Sequence, residues 1–300
     1  MKEIELPDRK LCIPESWEDL NMRQFIFALE LLQELSVGMI TPDTARFELL
    51  FFITGYRQSK KFKLKNYPPE EAENIQLNLI NLAELMNFIF RKEGDVLLPN
   101  DVFLNNPFPF IAIGTKKYQG KIFDRGYIPK TDISALEFSD ALDIYISMSK
   151  NNKNEKFVEE CVNTICAILY PYKNDHRENM RSAHVKRMKK LHPTIRYGIV
   201  LWFSGLIRFF TQHPIYGVLF GTEPEDSTKV SVGMYECVLA VSESGYGDVT
   251  TIENQNLISF FDMQVKNLKN VVSKAIAQGI DKIKLANEMK LPLMTIERLC

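Results

Sequence analysis

Residues 21–35, NMRQFIFALELLQEL, carry a full set of instructions for one helix. Asn21 offers a side-chain oxygen to the first free backbone N–H groups, and Gln24 stands three residues on, where a capping box places Glu or Gln. Behind them Phe25, Leu29, Leu32 and Leu35 recur at steps of four and three, an apolar stripe that needs a second surface to cover it. Just upstream, in IPESWED, the Ser16 hydroxyl follows Pro14 and is placed to cap a short turn over 17–20.

The same signals recur along the chain. Thr41-Pro42 pairs an N-cap with proline at the first helical position, leading into DTARFELLFFIT with Gly55 as its stop. Pro68-Pro69, then Glu70, Glu71 and Glu73, predict a helix running to about Lys92, its early acids favourable at the positive end of the helix dipole. Ser134 and Glu137 form another capping box. Further helices are expected at about 155–170, 178–191, 194–211, 231–243 and 252–278.

Between Leu97 and Thr131, closely spaced prolines and glycines break the helical period. There FIAIG and KYQGKIF suit a hairpin across Lys116-Lys117, and EIEL with KLCI suits another about Pro7-Asp8. The expected class is predominantly all-α, a multi-helix bundle with one or two small β-hairpins. Its expected organisation is an N-terminal helical region over 1–96, an irregular hairpin insert over 97–131, a helical region over 132–265 and a C-terminal helical hairpin over 266–300.

Composition narrows the function classes. With 37 basic and 38 acidic side chains the net charge is −1, so no overall field steers the chain toward nucleic acid or an anionic membrane, and such binding needs a local patch. MKEIELPDRK has charges where a signal peptide needs an apolar core, which argues against secretion by that route. The most apolar run, YGIVLWFSGLIRFF at 197–210, contains Arg208 and is too short for a membrane span, so it reads as a buried helix. Five scattered cysteines point to a reducing cytoplasm rather than a disulfide framework.

Candidate chemistry is sparse. His176, His184 and His192 are spaced by eight, which on a helix leaves neighbours about 80° apart and about 12 Å along the axis, too far to share an ion. Cys161 and Cys166 lack a second pair to complete a zinc site and suit core packing. GYGDVTTIE at 245–253 has the look of a phosphate loop without its lysine, and Thr250 with Glu253 makes a capping box instead. No serine or cysteine nucleophile stands in a known context, so neither an enzyme nor a cofactor or metal is expected.

Two basic stretches bear on nucleic acid. RQSKKFKLK at 57–65 carries five cations, and 173–192 carries seven against Asp175 and Glu178. The C-terminal IKLANEMKLPLMTIERLC places Leu285, Ala286, Met289, Leu291, Ile296 and Leu299 as in a helix-turn-helix, though Lys290 and Pro292 stand at the turn and the second helix is short. A nucleic-acid-binding protein would use Lys60, Lys61, Arg181, Lys186, Arg187, Lys189, Lys190, Thr295 and Arg298. The competing reading is a terminal hairpin packed on itself or a partner, with the basic residues as solvated faces.

IPESWEDLNMRQFIFALELL, LNNPFPFIAIGTKKYQGKIFD with ISALEFSDALDIYI, KRMKKLHPTIRYGIVLWFSGLIRFF, and GYGDVTTIENQNLISFFDMQ together span most of 13–265. In these segments the chain resembles a loosely defined set of uncharacterised proteins encoded in the tail-assembly regions of Bacteroidetes phages and prophages. The resemblance implies phage morphogenesis in the host cytoplasm or the virion. The role would be a tail assembly chaperone holding the helical tape-measure protein, or a minor virion component, in either case acting through protein contacts without catalysis. The last 35 residues extend beyond the resemblance.

Overall fold

The computed structural model describes residues 1–5, 10–55, 67–103, 105–126, 129–172, 176–180, 182–220, 234–289 and 291–299. The chain is mostly helical with small antiparallel hairpins, as the sequence pattern predicted. Four two-stranded sheets stand among the described residues, more than the one or two expected. It divides into two compact units, one of residues 1–103 with 192–198 and the other of 104–191 with 199–300.

In the first unit, β1 (Lys2–Glu5) pairs with β2 (Lys10–Ile13), and a 3-10 turn at Trp17–Asp19 leads into α1 (Met22–Ser36). Asn21 accepts from Arg23 N and Gln24 N, and Gln24 Oε1 accepts from Asn21 N, so the box closes as read. Ser16 makes no side-chain cap; its expected role falls to backbone carbonyls, with Asp19 N bonded to Ser16 O. α2 (Pro42–Thr54) starts at Thr41 and stops at Gly55 in the left-handed conformation.

α3 (Pro69–Glu84) ends eight residues before the expected Lys92. A 3-10 turn at Leu85–Ile89 follows, and then β3 (Phe90–Glu93) pairs with β4 (Val96–Pro99). The turn leaves Met86 and Ile89 wholly buried, a gain that a continued helix would have placed elsewhere. The core joins the α1 stripe to α2 through Phe25, Leu29, Leu32 and Leu49.

In the second unit, β5 (Phe110–Ile113) pairs with β6 (Lys116–Gln119) and β7 (Phe123–Asp124) with β8 (Lys130–Thr131). The first of these hairpins turns at Gly114-Thr115, ahead of the expected Lys116-Lys117, and Phe123 joins the next sheet. α4 (Ala135–Lys150) begins at the Ser134/Glu137 box, and α5 (Glu155–Leu169) at Asn154. The expected helix at 178–191 is two pieces, α6 (His176–Asn179) and α7 (Ser182–Met188).

α8 (Pro193–Gln212) holds the apolar run, with its first turn and a half in the first unit and the remainder, including the buried Trp202, Phe203 and Phe210, in the second. A 3-10 turn at Tyr216–Phe220, α9 (Met234–Glu243) and α10 (Val249–Glu253) follow. The expected Thr250/Glu253 box is not used: Asp248 caps α10 by accepting from Thr251 N, and Asn256 caps α11 (Leu257–Ala277). Aromatic edges knit this core, Phe138 meeting Phe203, Phe210 and Phe261 at 5.6–5.8 Å. Backbone bonds Ala135 N to Gln255 O and Leu257 N to Ile133 O lace the starts of α4 and α11 together.

α11 runs unbroken through 265–266, where the sequence reading began its terminal hairpin. α12 (Lys282–Met289) and α13 (Leu293–Leu299) fold back on its second half, Leu285, Ala286, Ile296 and Leu299 closing over Val272. No helix among the described residues is long and apolar enough to cross a membrane.

Candidate partner groove and cationic surface

His176, His184, Cys161 and Cys166 act as packing elements. His176 Nε2 lies 2.6 Å from Asp140 Oδ2, tying α6 to α4, and its Nδ1 is buried without a partner. Asp143, close to that pair, is held above the usual carboxylate range by burial and then by the Asp140 charge. His184 is buried with Nε2 3.0 Å from Tyr170 O. Burial lowers its pKa, and Arg187 adds to the shift against its backbone bonds. His192 is exposed ahead of α8. Cys161 and Cys166 are buried on α5 and in no disulfide, with Cys161 pushed up by burial. Among the described residues no group of three or more His, Cys, Asp or Glu is placed to hold a metal ion.

At 245–253 the Asp248 carboxylate takes the N–H group at the start of α10 that a phosphate would need. That turn is self-capped.

The C-terminal hairpin forms a wall of a groove of about 500 Å³. Thr295, Leu291 and Leu299 face Val265 and Lys269 of α11, and the chain leaving α8 over Thr211–Val218 closes the other side. Of the sequence-predicted contacts, Thr295 therefore lines a groove inside the second unit. The outward residues of α13 are Leu293 and Met294, with Met294 61 % exposed, and acidic Glu297. Ile215, 54 % exposed, stands at the opposite rim. A face of apolar side chains and one carboxylate suits a partner's apolar side chains and opposes a phosphate. Lys60, Lys61 and Arg181 lie outside the described residues, as does the Arg298 side chain.

A shallower cleft of about 470 Å³ lies in the first unit between α1 and α2. Phe27 stacks on Phe52 at 4.1 Å, and the Arg23 guanidinium sits 5.5 Å from the Phe52 centroid.

The remaining predicted cations gather on α7 and just beyond it. Lys186, Lys189 and Lys190 are exposed, while Arg187 is half-buried with its guanidinium 5.2 Å from the centre of Tyr172. Lys116, from the start of β6, brings its ammonium 5.1 Å from the same ring. Sequence reasoning passed over Lys116 and Tyr172, because the residues that meet there come from segments about 55 and 15 positions apart. The only signal was a lysine pair at a hairpin turn.

No family model, curated protein or solved structure matches the chain.

Proposed function

We propose that this chain is a non-enzymatic protein of phage tail morphogenesis, tail assembly chaperone-like or a minor virion component, that works by holding an amphipathic helix of a partner. The sequence resemblance over 13–265 supplies the context. The observation that carries the reading is the groove under the C-terminal hairpin, where Ile215, Val218, Val265, Leu291 and Leu299 stand beside Gln212, His213 and Lys269, with Ile215 exposed in it and Met294 exposed on α13. A helix binds such a groove through side chains spaced three and four residues apart, and needs no catalytic group to do so.

The partner of matching chemistry is the long, helical tape-measure protein. The test is a tagged pull-down from cells producing the intact tail system, run with and without nuclease, with mass spectrometry of the retained proteins. The tape-measure protein is expected in both arms and lost from an Ile215→Asp/Met294→Asp double variant, whose side chains are exposed and leave the fold intact. Its absence from the parent pull-down, or equal recovery with the variant, defeats the proposal.

A further inference from the structure

We propose that the Lys116 end of the β5–β6 hairpin, Tyr172 and the cations of α7 form a surface that binds the phosphodiester backbone of nucleic acid. This goes beyond the groove reading and does not depend on it. Two positive charges, Lys116 and Arg187, are held within about 5 Å of one tyrosine ring that is itself 42 % exposed. The π-face orients both cations yet leaves their charge uncancelled. Nearby cations show the alternative: Lys189 is paired to Glu159 at 3.1 Å and Lys121 to Glu137 at 2.8 Å. Among the described residues, Lys116, Lys186, Arg187 and Lys190 enter no ion pair.

Placing like charges side by side is unfavourable unless an anion joins them. The platform beneath is rigid. His184, whose pKa burial lowers, bonds the Tyr170 carbonyl and packs 5.8 Å from Tyr172 and 5.4 Å from Tyr118. That support lowers the ordering cost of binding.

Two cations already sit over the ring, so recognition falls to phosphate and not to sequence. Four uncancelled cations on β6, on α7 and just beyond it fit a continuous line of charge better than the scattered carboxylates of a folded protein. The chain's net charge of −1 makes this a local property that the overall composition conceals.

The test is fluorescence anisotropy of the full chain with a labelled thymidine oligonucleotide and a duplex of equal length, in about 50 to 200 mM salt. Binding is expected at low salt, with log K falling against log salt at a slope of about −3 for four phosphate contacts. A Lys116→Gln/Arg187→Gln variant should bind about tenfold or more weakly and reduce the slope by about one to two. Lys116→Gln alone, at the exposed first residue of β6, guards against a folding defect and should account for about one contact. Absence of binding at low salt, a slope near zero, or a Lys116→Gln/Lys186→Gln/Arg187→Gln/Lys190→Gln variant that binds like the parent overturns the proposal. Competition by polyglutamate as effective as by DNA at equal charge also overturns it, in favour of an acidic protein.

Discussion

Replacing Trp17 by alanine should destabilise the first unit through one identifiable cavity. The indole is 4 % exposed and meets Phe103, Phe25 and Phe88 edge to face at 4.9, 5.1 and 6.0 Å. Truncating a buried tryptophan costs roughly 3–5 kcal/mol. Against this, Trp17 Nε1 is buried without a hydrogen-bond partner, and removing such a donor returns about 1–3 kcal/mol. The net expectation is a loss of about 2 kcal/mol, at most about 4, and for a unit near 100 residues each 1 kcal/mol lowers Tm by about 4–8 °C. Trp17→Phe separates the two effects. It keeps a ring against Phe103 and Phe25 and deletes the orphan N–H, so its cost should stay below about 1.5 kcal/mol.

The readout is hydrogen exchange with mass spectrometry over peptides from 10–55, alongside a thermal melt. The second of the two tryptophans, Trp202, lies in the other unit, so its fluorescence in the variant follows that unit separately. Unchanged protection over 10–55 in Trp17→Ala, or equal losses for alanine and phenylalanine, refutes the packing account.

Gly120→Ala should cost about 1–3 kcal/mol or more in a urea titration, because its Cβ would lie 2.7 Å from Asn106 Nδ2 and Tyr170 Cε1 and 2.8 Å from Phe108 O. A midpoint matching the parent would show that this loop yields freely. Glu137→Ala removes the acceptor of Ser134 N and the partner of Lys121 together and should cost about 2–4 kcal/mol, with Glu137→Gln intermediate; a Glu137→Gln midpoint equal to the parent's counts against the ion pair, and equal midpoints for the two variants count against the cap. The folded pKa of His184 lies below its ordinary 6.5, so below that pH the unfolded chain takes up a proton that the folded chain refuses. Stability should therefore fall as pH drops through about 6.5 toward the folded pKa, and His184→Gln should flatten that part of a Tm-against-pH curve; superimposable curves would exclude this histidine.

Local chemistry was legible from the chain. Capping at Asn21/Gln24 and Ser134/Glu137, the Thr41-Pro42 start and the Gly55 stop each involve groups within four residues of one another. The stripes of α1 and of the terminal hairpin were equally plain, since helical period alone places Leu285, Ala286 and Ile296 on inner faces. Errors arose where two local solutions were close in energy. At 245–253 both Asp248 and Thr250 suit a cap, and the structure uses Asp248. After Glu84 a helix to Lys92 lost to a hairpin, with Met86, Ile89 and Phe90 buried along the way.

The sequence by itself thus determined helical class, most helix starts and the inward stripes, because those depend on bonds and contacts a few residues apart. Tertiary structure alone decided that Lys116, Tyr172 and Arg187 meet, that Thr295 lines a groove, and that α12 and α13 fold back on α11. Such juxtapositions are set by burial of apolar area between distant segments, and no pattern within one segment records which distant surface will cover it.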